Sequence, residues 1–151
     1  MNDKPGHGAV AVLVEESRFF VIRRSATVRA PNLLCFVGGT IESGESPEEA
    51  IVREAQEEVS LNIVAHKQIW QSTTKWGTKL EWVLVERLNK QNPIANPAEV
   101  SEFLWLTADE LLAHPDLLPS VPAFYSAWAK GEFALPESAG NPNADWLHLT
   151  S

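Results

Sequence analysis

GTIESGESPEEAIVREAQEEVSL, residues 39–61, decides how this chain is read. The stretch opens on Gly39, carries an isolated Glu45, and continues through Arg53-Glu54 to the adjacent pair Glu57-Glu58. Its centre predicts a helix with a strongly marked start. Ser46 suits the N-cap, Pro47 takes the first helical position where a missing N–H costs nothing, and Glu49 completes a capping box. Glu48 and Glu49 also place negative charge at the positive end of the helix dipole. No glycine or proline follows until after Val59, so the helix is expected to end there.

At 3.6 residues per turn, Glu54, Glu57 and Glu58 share one face, while Ile51, Ala55 and Val59, with Val52 at the margin, form an apolar stripe to pack on a sheet. Like charges at this spacing repel by a few tenths of a kcal/mol per pair, roughly. A solvated acidic face would tolerate that repulsion, and a hard divalent cation such as Mg²⁺ or Mn²⁺ would relieve it. Arg53 stands one turn from Glu49 and Glu57, which suits a structural ion pair.

The pattern G-x5-E-x7-R-E-A-x-E-E resembles the signature box of the Nudix hydrolases, which cleave nucleoside diphosphates linked to another group. The resemblance is specific over residues 38–61 and looser over about 7–113. It implies an α/β (α+β) fold, an α/β/α sandwich with a mixed β-sheet and a loop-helix-loop catalytic box. It also implies Mg²⁺ or Mn²⁺ on Glu54, Glu57 and Glu58 with a backbone carbonyl from Gly38 or Gly39, and a pairing of Arg53 with Glu45 that shapes the loop. The family often recruits one further acid ahead of a Trp-bearing strand. Here Glu99, six residues before Trp105, is the candidate and Glu102 the competitor. Either Glu57 or Glu99 could take the proton from the attacking water. Two positions depart from the pattern. Ser60 stands where the box has glycine, at a helix exit that glycine would enter with positive φ more cheaply. Val37 stands where a proline often precedes the double glycine.

Within the enzyme class, Arg24-Ser25, Val28-Arg29, Phe36 and Gly38-Gly39 also match part of an upstream motif of coenzyme A diphosphatases. Pro31, Leu33 and Val37 replace the histidine, glycine and proline of that motif. A Nudix-fold domain that senses nucleotide without turnover is the reading from another class, and intact carboxylates speak against it. Arg24 and Arg29, on the approach to the box, are candidates to meet substrate phosphates. Trp76, beside Gly77 at an expected turn, is the candidate ring to stack on a base, whereas Trp82 and Trp105 lie in expected strands and suit the core.

The 151 residues suit one domain, with a core over about 7–130 and an irregular tail over 131–151 tacked back by Trp146 and Leu147. Expected strands are 8–14 and 19–23 as a hairpin, 34–37, 61–72, 79–88 and 102–106, the whole forming a mixed sheet between helices. Thr107 is the expected N-cap of a helix to Ala113, and a second helix is expected over 121–130. A net charge of −8 without a basic stripe argues against nucleic acid as partner. No apolar run approaches membrane-spanning length, so the expected compartment is the cytoplasm. The lone Cys35, among Leu33, Leu34 and Phe36, suits a buried thiol. The expected partner is a small-molecule nucleoside diphosphate derivative, with no nucleic acid or membrane and with a homodimer left open.

Overall fold

The structure, a computed structural model, describes residues 6–149. Eight strands are seen: β1 (His7–Val12), β2 (Val14–Glu15), β3 (Arg18–Arg24), β4 (Leu34–Cys35), β5 (Gly38–Thr40), β6 (Ile63–Thr73), β7 (Lys79–Arg87) and β8 (Val100–Thr107). The α-helices are α1 (Pro47–Val59), α2 (Ala108–Leu112) and α3 (Ser120–Ala129). Among the described residues no helix is long and apolar enough to cross a membrane.

The strands form two four-stranded sheets instead of one. The first has the order β5-β1-β7-β6, with β1 parallel to β7 and the other pairs antiparallel. In the second, β3 pairs antiparallel with β2, β4 and β8. The expected hairpin of 8–14 with 19–23 is therefore correct only at its tip, where Val14 and Glu15 pair with Phe19 and Arg18. The body of β1 crosses to the other sheet. Its run from Ala9 to Val12 is buried throughout, as befits an interior strand covered on both faces. Of the expected strand 34–37 only Leu34–Cys35 is strand, β4 on β3, and the chain then crosses so that the following β5 joins β1.

α1 lies on β1, β5, β6 and β7, where Ala55 and Val59 meet Ala11, Leu61 and Val85. Trp82, an odd number of residues from Val85 along β7, faces the other way, and Phe124 of α3 stacks on it at 4.9 Å. The mixed sheet thus carries α1 on one face and α3 on the other, the layered α/β arrangement expected from the sequence. A single cluster of buried side chains runs from Ala9 to Trp146. Trp146 tacks the tail against Tyr125 and Trp128, whereas Leu147 is left exposed. The tail itself includes two short 3₁₀ turns, Glu137–Ala139 and Ala144–His148.

Both capping boxes form as expected, at Ser46–Glu49 and at Thr107–Glu110. α1 ends on Ser60 in the left-handed region, φ 55°, with its N–H returned to Ala55 and Gln56. Serine adopts that backbone at a cost of about 1 kcal/mol relative to glycine. Ser60→Gly is therefore expected to leave the fold intact and to hold or raise the melting temperature, by up to ~3 °C. A clear fall in a thermal scan would contradict this account of the helix exit.

Candidate active site

Arg53 organises the first half of the site. Its Nε and Nη2 donate to the two oxygens of Glu45, at 2.8 and 2.9 Å. Nη1 donates to Glu54 at 2.9 Å and to Glu57 at 3.3 Å, and Nη2 donates also to the Thr40 carbonyl at 3.0 Å. One planar guanidinium thus joins α1 to the end of β5 and to the loop between them, a task suited to arginine's fixed fork. Glu45 also accepts from the backbone N–H of Glu42, and the Arg53 guanidinium holds its carboxyl down at about 2. Glu42 and Thr40 were not singled out from the sequence. A backbone acceptor leaves no side-chain signal.

The second half is a buried group of acids. Glu54 and Glu58 lie on the covered side of α1, while Glu57 is exposed at its rim. Burial, reinforced by hydrogen bonding to Glu54 and by the charges of Glu54 and Glu99, pushes the Glu58 carboxyl up to about 10. Glu99 is raised as well, first by burial and then by Glu54 and Glu57. Its Oε2 is buried without a hydrogen-bond partner. Of the two acids weighed for this position, Glu99 is the one brought to the cluster. Glu102 is instead paired with Arg23 at 2.6 Å.

The loop that delivers Glu99 is held by the last carbonyls of α1, which have no partner inside the helix. Val59 accepts from the Ile94 N–H, Glu58 from the Asn96 N–H, and Glu57 from the Asn96 side chain. Ser25, buried, donates its N–H to the Glu99 carbonyl and its hydroxyl to the Ala98 carbonyl. Asn96 and Ser25 are thus positioning residues that the spacing of acids alone did not reveal.

Gly39 is required by close approach. A Cβ there would lie 2.3 Å from the carboxyl carbon of Glu54. The register of β5 adds a second point. Ala11 donates to the Val37 carbonyl and Ile41 to the His7 carbonyl, so the Gly39 carbonyl is turned into the β1 ladder. The Gly38 carbonyl is turned to the open edge, the side on which Thr40 meets Arg53.

Among the described residues, no three His, Cys, Asp or Glu side chains converge closely enough to hold a metal ion by themselves. The donors nevertheless fit a hard divalent cation. They are carboxylate oxygens, one of them buried and unpartnered, beside an outward-facing carbonyl. An Mg²⁺ ion commonly completes its shell with water and substrate phosphate.

Of the expected phosphate-binding residues, Arg24 lies closest to the acids. Its charge weakly opposes the upward shifts of Glu58 and Glu99, and its Nε donates to the Arg29 carbonyl at 2.7 Å. Arg29 contributes that carbonyl, while its side chain is exposed. Arg24, Gly38 and Gly39 border a cleft of about 130 Å³ whose other walls include Phe36, Leu80, Trp82 and Leu118. Trp76 is not among its lining residues. It stands 72% exposed at the β6–β7 turn with the Lys75 ammonium 4.7 Å from its ring centre. A larger cleft of about 560 Å³ lies between β2, β7 and Pro136–Ser138. Its Arg87 is closed onto Glu15 at 2.7 Å and the carboxylate group does not reach it, so the smaller cleft is the better candidate.

Gly39→Ala is expected to displace Glu54 from its place against β5 and to abolish the response of the melting temperature to Mn²⁺ while the chain stays folded. Circular dichroism with a metal titration checks it, and an unchanged metal response would contradict the close-approach argument.

A family model described as NUDIX domain matches residues 4–128. The 8-oxo-dGTP diphosphatase of Escherichia coli (strain K12) is 51% identical over 47 residues, which is 31% of this chain and 36% of that protein. A Nudix hydrolase of Deinococcus radiodurans is 35% identical over 105 residues, 65% of this chain and 60% of that protein. The chain thus spans less than two thirds of the length of either relative. Among solved structures, the MutT protein from Methanosarcina mazei Go1 shares the fold with a TM-score of 0.62 at 20% identity, over 78% of this chain and 88% of that one. The matched span takes in the carboxylate helix, both sheets and most of α3, and the chain belongs to the Nudix family.

Proposed function

We propose that this protein hydrolyses the diphosphate linkage of a nucleoside diphosphate joined to another group, and that it needs a divalent metal ion to do so. The observation that carries this reading is the buried, unpartnered oxygen of Glu99 beside Glu54 and Glu58, a group joined to the smaller cleft through Arg24 and through Gly39 against Glu54. Glu54, Glu58, Glu99 and the Gly38 carbonyl would hold the ion, with Gly39 as the close-approach residue and Glu57 as a further ligand from the rim. When bound, Mg²⁺ or Mn²⁺ supplies positive charge to the phosphoryl oxygens as a Lewis acid.

The chain's own residues account for the rest. Arg24 binds a phosphate oxygen as the cation next to the acids. Arg53 and Glu45 hold the loop and α1 in register, so they are positioning residues. Water attacks one phosphorus, its proton passes to a carboxylate, and the bond to the bridging oxygen breaks to release two phosphate monoesters. Glu99 is the better acceptor because no described residue engages its buried Oε2. Glu57, held by Arg53, is the second candidate.

The test is turnover of a panel of ADP-ribose, sugar nucleotides, coenzyme A and nucleoside triphosphates, with released phosphate read after phosphatase coupling. Hydrolysis is expected with Mg²⁺ or Mn²⁺ and none in chelator, and Glu57→Gln or Glu58→Gln should lower kcat by ~100-fold or more. Full activity in both variants, or turnover in chelator, would overturn the metal assignment. Binding of these compounds with no hydrolysis of any would favour a nucleotide sensor.

A further inference from the structure

Resting on the proposed hydrolysis, we infer that the backbone carbonyl of Arg29, turned inward by a left-handed Ala30, is the positioning group that presents Arg24 to the phosphates of the substrate. The loop between β3 and β4 then serves the site through its backbone, and Ala30 is the residue that sets it.

Arg24 ends β3 and borders the smaller cleft. Its charge is felt at Glu58, Glu99 and Cys35, so the guanidinium lies within reach of all three. The Oε2 of Glu99 is nevertheless buried without a partner, which means that the guanidinium has not closed on it. Nε is committed instead to the Arg29 carbonyl at 2.7 Å, the short distance of a charge-assisted bond. Burial holds the neighbouring Cys35 thiol up at about 11, so it stays neutral and makes no ion pair with Arg24. Among the described residues no oxygen acceptor takes Nη1 or Nη2 of Arg24. These two donors are left for a phosphate, which arginine grips with two parallel hydrogen bonds.

The loop that supplies the carbonyl returns to the same residue. The Arg24 N–H donates to the Leu33 carbonyl at 2.9 Å, and the Asn32 N–H donates to the Arg24 carbonyl at 3.0 Å. Arg23 Nη1 donates to the Asn32 carbonyl at 2.9 Å. Just before these anchors Ala30 has φ 49°, and Asn32 has φ 64°. Asparagine visits the left-handed region readily, whereas alanine does not. Ala30 also precedes Pro31, a position that favours extended backbone. Two local preferences are overridden at one residue, and strain of this kind persists only where the surroundings hold it. The Arg29 carbonyl belongs to the peptide unit that rotates about the φ of Ala30, so the strained angle sets where that carbonyl points. The Arg29 side chain is exposed, and its carbonyl is what reaches Arg24.

The experiment measures Kd for inorganic pyrophosphate by calorimetry with the full chain in Mg²⁺, together with KM and kcat for the panel compounds that turn over. Ala30 lies in a partly exposed loop, so Ala30→Val is expected to stay folded, as circular dichroism checks. Valine is β-branched and tolerates positive φ poorly. Ala30→Val should therefore raise Kd and KM by ~10-fold or more with kcat little changed, since ground-state binding is what is lost. Ala30→Gly, which enters positive φ freely, should restore the native Kd. Arg24→Ala should raise Kd at least as much as Ala30→Val. The double variant should match Arg24→Ala within ~2-fold, because the carbonyl then has nothing to position. Additive losses in the double variant would overturn the inference, as would a native Kd in Ala30→Val. Failure of pyrophosphate to bind the native chain would overturn it too. The expected pattern of Kd values without turnover of any panel compound would sink the hydrolase reading and leave this inference standing.

Discussion

Negative charge held out of water is the constraint on which the rest of this structure depends. Glu54 is buried against Gly39 of β5 with Glu58 buried beside it, and Glu99 is brought toward them from another loop. Such a group is costly without a counter-ion. The surroundings partly relieve it, since Arg53 takes one oxygen of Glu54 and Glu58 is pushed to a pKa of about 10, which leaves it protonated at neutral pH. What remains is the unpartnered Oε2 of Glu99. Gly39 allows the approach, Arg53 fixes the distance between α1 and β5, and the carbonyls at the end of α1 anchor the loop that brings Glu99.

The local features were legible because they are written in adjacent residues. Ser46, Pro47 and Glu49 set the start of α1 as read, Ser60 ends it in the left-handed region, and Arg53 pairs with Glu45. What the sequence did not reveal is longer in range. The switch of the chain between sheets at Leu13, and again between Cys35 and Gly38, follows from which buried surfaces meet. Both segments are apolar throughout, so neither shows a period that separates one sheet from the other. Glu99 and Glu102 could not be told apart by spacing, because the choice rests on Arg23 capturing Glu102 and Ser25 fixing the backbone at Glu99.

The recognition side shows the same division. Trp76 was the aromatic ring most evidently placed for a ligand from its turn position, yet it faces outward with Lys75. The cleft draws its walls from β7, from the residues beside β4, and from the approach to α3, three regions distant in sequence. Leu118 arrives there because the Asp116 carbonyl and the Leu118 N–H pair with both sides of Leu34. Arg23 reinforces that segment through Asp116, so an arginine outside the cleft helps shape it.

The most direct test of the buried-charge account is the melting temperature of the metal-free chain against pH, for the native sequence and for Glu58→Gln. The folded-state pKa of Glu58 is raised, so its contribution to stability is present below the ordinary carboxylate range and is lost as pH rises toward about 10. The native chain in chelator should therefore fall in stability relative to Glu58→Gln between pH ~5 and ~9, and a divalent ion should reverse that fall in the native chain alone. Parallel curves for the two proteins, with and without metal, would contradict the claim that Glu58 is buried among like charges and awaits a cation.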